Sequence, residues 1–591
     1  MTTTTDALHA IDAIADRFLV GKHVPGLVYG VVSSGELIHS RGLGTLRVGD
    51  DALPDADSVF RIASMTKSFT AATVISLRDE GLLSLDDPIG RHVPELADLR
   101  GPTSDSPIIT VRHLMTMAAG LATDDPWGDR QQGLDLDEFS KLLRGPLTFA
   151  WTPGTRFEYS NLGYGILGRL ITNVAGAEYR DVVRARLLAP LGMDATTYLE
   201  EEVARDRLAL GYLWRDDTYV EEPLDGYGAL ASMGGIFTSV RDLARWVGFF
   251  TDSYPPRDDP EDSAPLSRAS RREMQQAAGA GWPSVMLPTP DADPDVAAGG
   301  YGYGLFVEDH IRWGRIVTHS GGYPGFGSNM RWQPASGLGV IVLANHRYAP
   351  TTLLARELMA SLLEAAIVPP RRVQPAPSLA AARADIGRLL SAWDDDLARR
   401  LFTMNVELDE PLARRRDALA RIRDVHGGLR PDPEMPEVAM TPLHATWWLA
   451  DQRGGRVRME IRLSPEGSAP VQTFNVLSVP APGPSFAAAA AAVVSAVNGP
   501  DPSLPTLPEG LVFGPDVDQL AFSRVVGIVA ARFAPVMLGP VVAGDGQTTA
   551  TWWLGSDRGN LAVAVTLDPA GEVITALSLT QRAPTMPEHG D

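Results

Sequence analysis

The sequence predicts an α+β protein with one large domain followed by two small, repeated α+β domains. Strand patterns at both ends of the first 368 residues, with helical patterns between them, predict one antiparallel sheet flanked by helices beside an all-α lobe. Two proline-rich breaks, IVPPRRVQPAPS from Ile367 and PAPGP from Pro480, divide the chain. We therefore expect domains at residues 1–368, 379–480 and 485–591.

The large domain begins with a helical pattern over residues 6–19, followed by a hairpin pattern, GLVYGVV and ELIHSRG around an SSG turn. A long, mostly helical middle follows. Strand patterns return from Tyr301, and a last helix is predicted over 352–365. Two stretches rich in Pro, Asp and Gly, at 252–265 and 282–300, are predicted to be loops long enough to overhang a site.

The two C-terminal segments repeat one another. ATWWLADQRGG begins at Ala445 and ATWWLGSDRGN at Ala550, and the openings PAPSLAAA and PGPSFAAA also match. Each copy shows helical patterns first and an alternating apolar pattern afterwards. The repeat predicts helices that cover one face of an antiparallel meander, and we interpret the paired tryptophans as packing residues.

Composition excludes several classes of function. The formal net charge of −21 argues against binding to nucleic acid or to an anionic membrane. The absence of cysteine excludes disulfides, thiolate metal sites and a cysteine nucleophile. The N-terminus lacks the pattern of a secretory signal, and the most apolar run, 486–494, is too short to span a bilayer, so we expect a cytoplasmic protein. No nucleotide-binding or metal-binding motif is present, and we expect no cofactor and no metal.

The first chemical motif is Ser64-Met65-Thr66-Lys67, which opens an apolar segment that stops at Gly81, as a buried helix would. Three-residue spacing puts the serine and the lysine on one face of a helix, one turn apart. Burial lowers the pKa of a lysine, which lets its neutral amine accept the proton of a serine nucleophile. The alternative is a serine that caps the helix beside a solvated lysine.

Two further motifs carry groups that could complete a site. Tyr159 and Asn161 lie at the start of a predicted helix, where a phenol can share a proton relay and an amide can bind a substrate carbonyl. His319, Gly321 and Gly322 end a predicted strand, where a substrate backbone can approach and an N–H group can bind an oxyanion. Taken singly, the alternatives are a buried aromatic with a helix cap, and an ordinary turn.

The order Ser-x-x-Lys, Tyr-x-Asn, His-x-Gly at positions 64, 159 and 319 resembles the serine β-lactamase and penicillin-binding-protein superfamily. Within it, the chain is similar to the branch of class C β-lactamases, D-aminopeptidases and esterases. The flanking segments FRIASMTKSFTA, WTPGTRFEYSN, ASMGGIFTSVRDLARW and LANHRYAP are typical of that branch. The resemblance covers about residues 10–366.

The resemblance implies a role for each motif residue. Ser64 would be acylated, with Lys67 and Tyr159 sharing general acid and base duty, and Asn161 would orient the substrate amide. The N–H groups of Ser64 and Gly322 would form the oxyanion hole. The implied function is hydrolysis of a small amide or ester, or of a short D-amino-acid-containing peptide, through an acyl-enzyme, and the resemblance is compatible with a homo-oligomer.

His319 departs from the pattern of true β-lactamases. It takes the place of a lysine that helps to bind the carboxylate beside a β-lactam ring, whereas histidine is largely neutral at pH 7. The D-aminopeptidases of the family have His-x-Gly at this point and also carry two additional C-terminal domains. Two alternatives stay open: an ester hydrolase or weak β-lactamase, and a non-catalytic, acyl-accepting sensor or scaffold.

Overall fold

The computed structural model describes residues 4–19, 21–261, 264–286, 295–365, 373–435, 437–499, 512–556 and 559–582. The chain forms two compact units, residues 1–371 and 372–591. The linker predicted from Ile367 lies outside the described residues as far as position 372.

The first unit contains strands near both of its ends and a mostly helical middle. Its described strands are β1 (Gly26–Ser33), β2 (Glu36–Gly44), β3 (Val59–Arg61), β4 (Tyr212–Arg215), β5 (Thr218–Glu221), β6 (Phe237–Ser239), β7 (Ala278–Met286), β8 (Asp295–Tyr301), β9 (Phe306–His310), β10 (Gly314–Tyr323), β11 (Phe326–Gln333) and β12 (Leu338–Ala344). Its described α-helices are α1 (Thr4–Leu19), α2 (Thr66–Asp79), α3 (Val111–Met115), α4 (Asp125–Gly128), α5 (Leu136–Arg144), α6 (Asn161–Ala175), α7 (Tyr179–Val183), α8 (Ala231–Gly234), α9 (Val240–Thr251), α10 (Arg268–Met274) and α11 (Thr351–Glu364).

One antiparallel sheet organises this unit. In the described part of the chain it has eight strands in the order β2-β1-β12-β11-β10-β9-β8-β7. Strand β1 pairs with β12, with Tyr29 opposite Val342, so strands from the two ends of the unit lie side by side in the sheet. The predicted antiparallel sheet built from both ends of the domain is confirmed.

The sheet is covered on both faces, which explains why strands β11 and β12 are buried along their whole length. Every residue of β11 and β12 is buried. Helices α1 and α11 pack on one face around Tyr29 and Leu358, and α2, α6 and α9 pack on the other around Phe69 and Trp246. Each fully buried large apolar side chain contributes about 1.5–3 kcal/mol to the free energy of unfolding. The segments that carry Ser64, Tyr159 and His319 therefore lie against a close-packed core.

The loop predicted at 282–300 is wrong in the part that the structure describes. Strands β7 and β8 form a hairpin there that extends the sheet, with Trp282 opposite Gly299. Residues 287–294 lie outside the described residues. Pro, Asp and Gly disfavour strands locally, but pairing with an existing sheet outweighs that preference.

The second unit contains two similar sheet-and-helix arrangements. Its described helices are α12 (Pro377–Ser391), α13 (Asp395–Leu401), α14 (Met404–Asp409), α15 (Leu412–His426), α16 (Pro484–Val497) and α17 (Gln519–Phe533). Its described strands are β13 (Arg430–Pro431), β14 (Val438–Thr441), β15 (His444–Ala450), β16 (Arg456–Leu463), β17 (Val471–Val479), β18 (Met537–Gly544), β19 (Thr549–Ser556), β20 (Gly559–Leu567) and β21 (Ile574–Arg582).

Each arrangement has its own antiparallel sheet and its own hydrophobic core. The sheets run β13-β15-β16-β17, with β14 on β15, and β18-β19-β20-β21. Trp447 lies in the first core and Trp552 in the second, whereas Trp553 is 38% exposed. The packing interpretation therefore holds for the first tryptophan of each pair and for Trp448, which packs partly buried against the second core. The division of this unit into domains 379–480 and 485–591 stays a prediction.

The first unit contains both halves of its sheet and the cores on both faces. We therefore expect a fragment of residues 1–371 to unfold cooperatively and to be labelled by a fluorophosphonate at the same serine as the full chain. Circular dichroism melting and intact mass measure the two properties, with the full chain as control. A fragment that folds but cannot be labelled would contradict this expectation.

Candidate active site

Ser64 lies in a tight turn that leads into a buried helix. Strand β3 is followed by a 3₁₀ turn, Ala63–Met65, which runs directly into α2. The preceding residue, Ala63, has φ of +48°, a left-handed backbone conformation that is uncommon for a residue other than glycine. The sequence predicted Ser64 in the first turn of the helix, and the serine in fact precedes it by this short turn. Its position at the helix N-terminus favours negative charge on the serine oxygen.

Lys67 is fully buried and hydrogen-bonds with three acceptors from three separate segments. Its Nζ atom donates to Ser64 Oγ at 2.9 Å, to Asn161 Oδ1 at 2.7 Å and to the carbonyl oxygen of Met233 at 2.8 Å. The side chain has no solvent exposure. The alternative of a solvated lysine beside a helix cap does not describe this structure.

Tyr159 and Asn161 reach the same point from the start of α6. The phenol of Tyr159 is close enough to Ser64 for the serine side chain to oppose the rise of the Tyr159 pKa, and the Lys67 Nζ atom lies 4.9 Å from the centroid of the Tyr159 ring. Asn161 Nδ2 donates to Asp125 Oδ1 at 2.8 Å. The helix cap is Ser160, whose hydroxyl accepts from the Gly163 N–H, so the asparagine side chain is directed at Lys67 instead.

Burial separates the proton affinities of the two groups beside Ser64. It lowers the pKa of Lys67 to about 8, against the opposing effect of Asp125, Asp129 and Asp124. Burial, with the nearby Asp125 charge, raises the pKa of Tyr159 well above its usual value. At neutral to slightly alkaline pH the lysine can therefore exchange its proton while the tyrosine stays a neutral phenol.

The third motif lies on β10, which is an internal strand of the sheet. Strand β9 pairs with β10 only as far as Thr318, so beyond this point β11 is the one strand among the described residues that pairs with β10. The free edge from His319 onward is available to an extended substrate. At Gly321 a Cβ atom would lie 2.0 Å from the carbonyl oxygen of Ile62, two residues before Ser64. A Cβ atom added at Gly322 would lie 2.7 Å from the Tyr348 ring.

His319 is buried and uncharged. Its Nδ1 lies 2.7 Å from the carbonyl oxygen of Ser320, which requires this nitrogen to carry the proton. Its Nε2 lies 3.2 Å from the Tyr301 hydroxyl. Burial, and then the charge of Lys67, lower the pKa of His319 to about 3. No permanent charge replaces the lysine found at this point in true β-lactamases.

Several residues near the site carried no signal in the sequence. The Asp124 carboxylate accepts from the backbone N–H groups of Asn161 and Leu162 at 2.7 and 2.8 Å, and so fixes the start of α6. The Tyr348 hydroxyl donates to Asp129 Oδ2 at 2.8 Å. Such contacts join segments far apart in the chain, and neither the aspartates nor the tyrosine belongs to a periodic pattern.

Gln132 is a further residue that sequence reasoning missed. Its side chain is buried, and within the described part of the chain its Oε1 atom has no hydrogen-bond partner. A Cβ atom added at Gly234 would lie 3.6 Å from Gln132 Oε1 and 3.6 Å from the carbonyl carbon of Ala63. The Gln132 amide oxygen is therefore close to the turn that carries Ser64. A buried acceptor without a partner beside the Ser64 turn is suited to a substrate N–H group.

A second serine, in the other unit, has a superficially similar environment. His426 Nδ1 lies 2.8 Å from Asp451 Oδ2 and its Nε2 lies 2.9 Å from Ser478 Oγ. The Asp451 carboxylate also accepts from the backbone N–H groups of Arg453 and Gly455. This Ser–His–Asp chain provides an internal alternative to Ser64 that experiments must distinguish.

The described residues contain no group of three or more His, Cys, Asp or Glu side chains arranged to hold a metal ion. Of the helices that the structure describes, none combines the length and the apolar character needed to cross a membrane.

Comparisons with known proteins identify the class to which this fold and site belong. The β-lactamase family model matches residues 11–364, which is more than half of the chain. The chain therefore belongs to the β-lactamase family, within the superfamily of serine β-lactamases and penicillin-binding proteins.

Individual relatives are distant. The chain is 26% identical over 344 residues to Protein flp of Staphylococcus aureus strain MW2, an alignment that covers 58% of this chain and 64% of that protein. It is 28% identical over 267 residues to β-lactamase-like protein 2 of Dictyostelium discoideum, covering 43% of this chain and 47% of the relative. The chain thus spans less than two thirds of the length of these relatives.

A solved structure is similar in fold over nearly the whole chain. It is the octameric penicillin-binding protein homologue from Pyrococcus abyssi, with a TM-score of 0.52 and 18% identity. The match covers 97% of this chain and 98% of that one. At this identity the likeness supports the fold alone.

The close approach of β10 to the Ser64 turn predicts a strong effect of Gly321→Ala. The added methyl group must displace Ile62 or β10, which typically costs about 1–3 kcal/mol in the free energy of unfolding. We expect a lower melting temperature and slower labelling of Ser64. Gly226→Ala is the matched control, because nothing lies within 4 Å of the added carbon there. Equal behaviour of the two variants would contradict the described approach.

Proposed function

We propose that the chain hydrolyses a small amide or ester, short D-amino-acid-containing peptides among the amides, by acylation of Ser64. The observation that carries this proposal is the hydrogen bond between Ser64 Oγ and the fully buried Nζ of Lys67. A buried amine with a pKa of about 8 is a competent base near neutral pH. A helix start with a purely structural role would not need a buried amine with a lowered pKa.

The proposed reaction uses the side chains of Lys67, Ser64 and Tyr159. Neutral Lys67 accepts the Ser64 proton as Oγ forms a bond to the substrate carbonyl carbon. The negative oxygen is bound by the N–H groups of Ser64 and Gly322, which the contact of Gly321 with Ile62 brings close together. The neutral phenol of Tyr159 then transfers a proton to the leaving oxygen or nitrogen as the bond from that atom to the carbonyl carbon breaks, and Tyr159 recovers a proton from Lys67. Water gives a proton to the neutral Lys67 as it attacks the acyl carbon, and Ser64 Oγ leaves with the proton that Lys67 returns to it.

Two amides are suited to orient the substrate. Asn161 Nδ2 uses one of its two protons on Asp125, so the other remains for a substrate carbonyl. The Oε1 atom of Gln132 can accept from a substrate N–H group. Uncharged His319 lacks the cation that would attract a carboxylate, which favours a neutral substrate.

The other candidate functions differ in turnover. A weak β-lactamase would release a hydrolysed β-lactam, and a sensor or scaffold would keep its acyl group without turnover. An exchangeable proton on Lys67 favours turnover over trapping. A homo-oligomer stays a prediction, in line with the octameric state of the Pyrococcus abyssi homologue. A cytoplasmic location also stays a prediction.

The nucleophile is tested by covalent labelling of variants. A fluorophosphonate is expected to add one mass to the peptide that carries Ser64, and Ser64→Ala is expected to lose both labelling and ester turnover. Ser478→Ala is the matched control, because it removes the other serine with a hydrogen-bonded base, and it is expected to keep both properties. If Ser478→Ala lost labelling and turnover while Ser64→Ala kept both, the assignment of Ser64 as the nucleophile would be refuted.

The base is tested by substitution and pH dependence. Lys67→Arg is expected to be nearly as inactive as Lys67→Ala, because guanidinium cannot accept a proton at neutral pH. Loss of a general base costs about 10²- to 10⁴-fold in rate. In the wild type, kcat/KM is expected to rise with pH through about 8 and then level off, as Lys67 loses its proton. Near-normal turnover in the arginine variant would show that only the charge matters.

A further inference from the structure

Four aromatic side chains adjoin the proposed site on its His319 side. We call Phe157, Trp282, Tyr301 and Phe306 the aromatic wall. The Phe157 ring centroid lies 5.0 Å from that of Trp282, 5.5 Å from Tyr301 and 6.1 Å from Phe306. Tyr301 and Phe306 are also in edge contact, at 4.8 Å. The four rings thus form one continuous aromatic cluster, in which Tyr301 is buried.

The aromatic wall is joined to the proposed catalytic groups through two contacts. The Phe306 ring lies 5.2 Å from the His319 ring, and the Tyr301 hydroxyl lies 3.2 Å from His319 Nε2. Phe157 is two residues from Tyr159 in an extended segment. Phe157, Trp282 and Phe306 are only partly buried, so each keeps surface that a ligand can cover.

Charged neighbours are directed away from the aromatic wall. The residues on either side of Phe157 both contact Trp151. The Arg156 guanidinium lies 4.3 Å from that ring centroid, and Glu158 Oε2 accepts from Trp151 Nε1 at 2.8 Å. A negatively charged ligand would therefore lose hydration at the wall without gaining Arg156 as a partner.

The chemistry of the proposed reaction decides which part of the substrate meets the wall. The group that protonates the leaving atom must lie within hydrogen-bond reach of it. Tyr159 is that group in the proposed mechanism, so the leaving oxygen or nitrogen and its substituent face Tyr159, Phe157 and His319. The acyl portion then lies toward the Gly322 end of β10.

We propose that the aromatic wall is a binding subsite for an uncharged leaving group with an aromatic or branched alkyl substituent. The preferred substrate is an ester or amide of such an alcohol or amine. This inference rests on the proposed function. It assigns the specificity of the reaction to residues that take no part in the proton transfers.

The test compares three acetate esters that share one acyl group: those of ethanol, benzyl alcohol and 4-(hydroxymethyl)benzoic acid. For the full-length wild type, kcat/KM for the benzyl ester is expected to exceed that for the ethyl ester by about tenfold or more. The carboxylate-bearing ester, of similar shape, is expected to fall below the benzyl ester by a similar factor. A wild-type ratio near one, or a preference for the carboxylate, would overturn the proposal.

Variants then assign the preference to the wall. Trp282→Ala is expected to lower the benzyl-to-ethyl ratio about tenfold, and Trp282→Phe to keep most of it. Using a ratio within each variant cancels a general loss of folded enzyme. Trp214→Ala is the matched control, because this partly buried tryptophan stacks on His23 instead, and its ratio is expected to equal that of the wild type.

The outcomes separate this inference from the proposed function. Hydrolysis of all three esters with a ratio that Trp282→Ala does not change would refute the role of the wall alone. Absence of any ester turnover in the wild type would contradict the proposed function, and this inference with it.

Discussion

Burial of one ammonium group constrains the arrangement of the candidate site. Removing the charge of Lys67 from water costs several kcal/mol unless hydrogen bonds replace its hydration. Ser64, Asn161 and the carbonyl of Met233 supply three acceptors at 2.7–2.9 Å. They belong to the 3₁₀ turn, the start of α6 and the end of α8, so these segments are held together through a single nitrogen atom. The same burial gives the amine a pKa at which it can exchange protons.

The carboxylates of Asp124 and Asp125 limit how far burial lowers the pKa of Lys67. Asp124 holds the backbone at the start of α6, and Asp125 holds the amide of Asn161. Both raise the pKa of Lys67 while desolvation lowers it. Without them the amine would be neutral at lower pH but would lose the orientation of its asparagine partner. Position and proton affinity therefore depend on the same two side chains.

The part of the site that follows from local spacing could be predicted from the sequence, and the part that depends on distant segments could not. One helical turn links Ser64 to Lys67, and the antiparallel sheet follows from strand patterns at both ends of the domain. The Met233 carbonyl lies 166 residues from Lys67, and every residue has a carbonyl, so no residue type marks it. The hairpin at Trp282 was missed for a related reason, since its strands gain their stability from neighbours and not from their own composition.

Comparison of the two serine environments shows why a hydrogen-bonded base alone does not define a nucleophile. Ser478 lies in strand β17 and pairs with Val457 of β16, whereas Ser64 lies in a turn before a helix, where N–H groups have no intrahelical acceptor and can bind an oxyanion. The repeat supplies an internal comparison. Helix α17 ends at Phe533 where α15 ends at His426, and Ser556 stands at the position of Asp451. The second copy has the same fold with Phe533 at the end of this helix, so the fold of the repeat does not require the hydrogen-bonded set of His426, Asp451 and Ser478. Backbone geometry therefore favours Ser64 as the reactive serine.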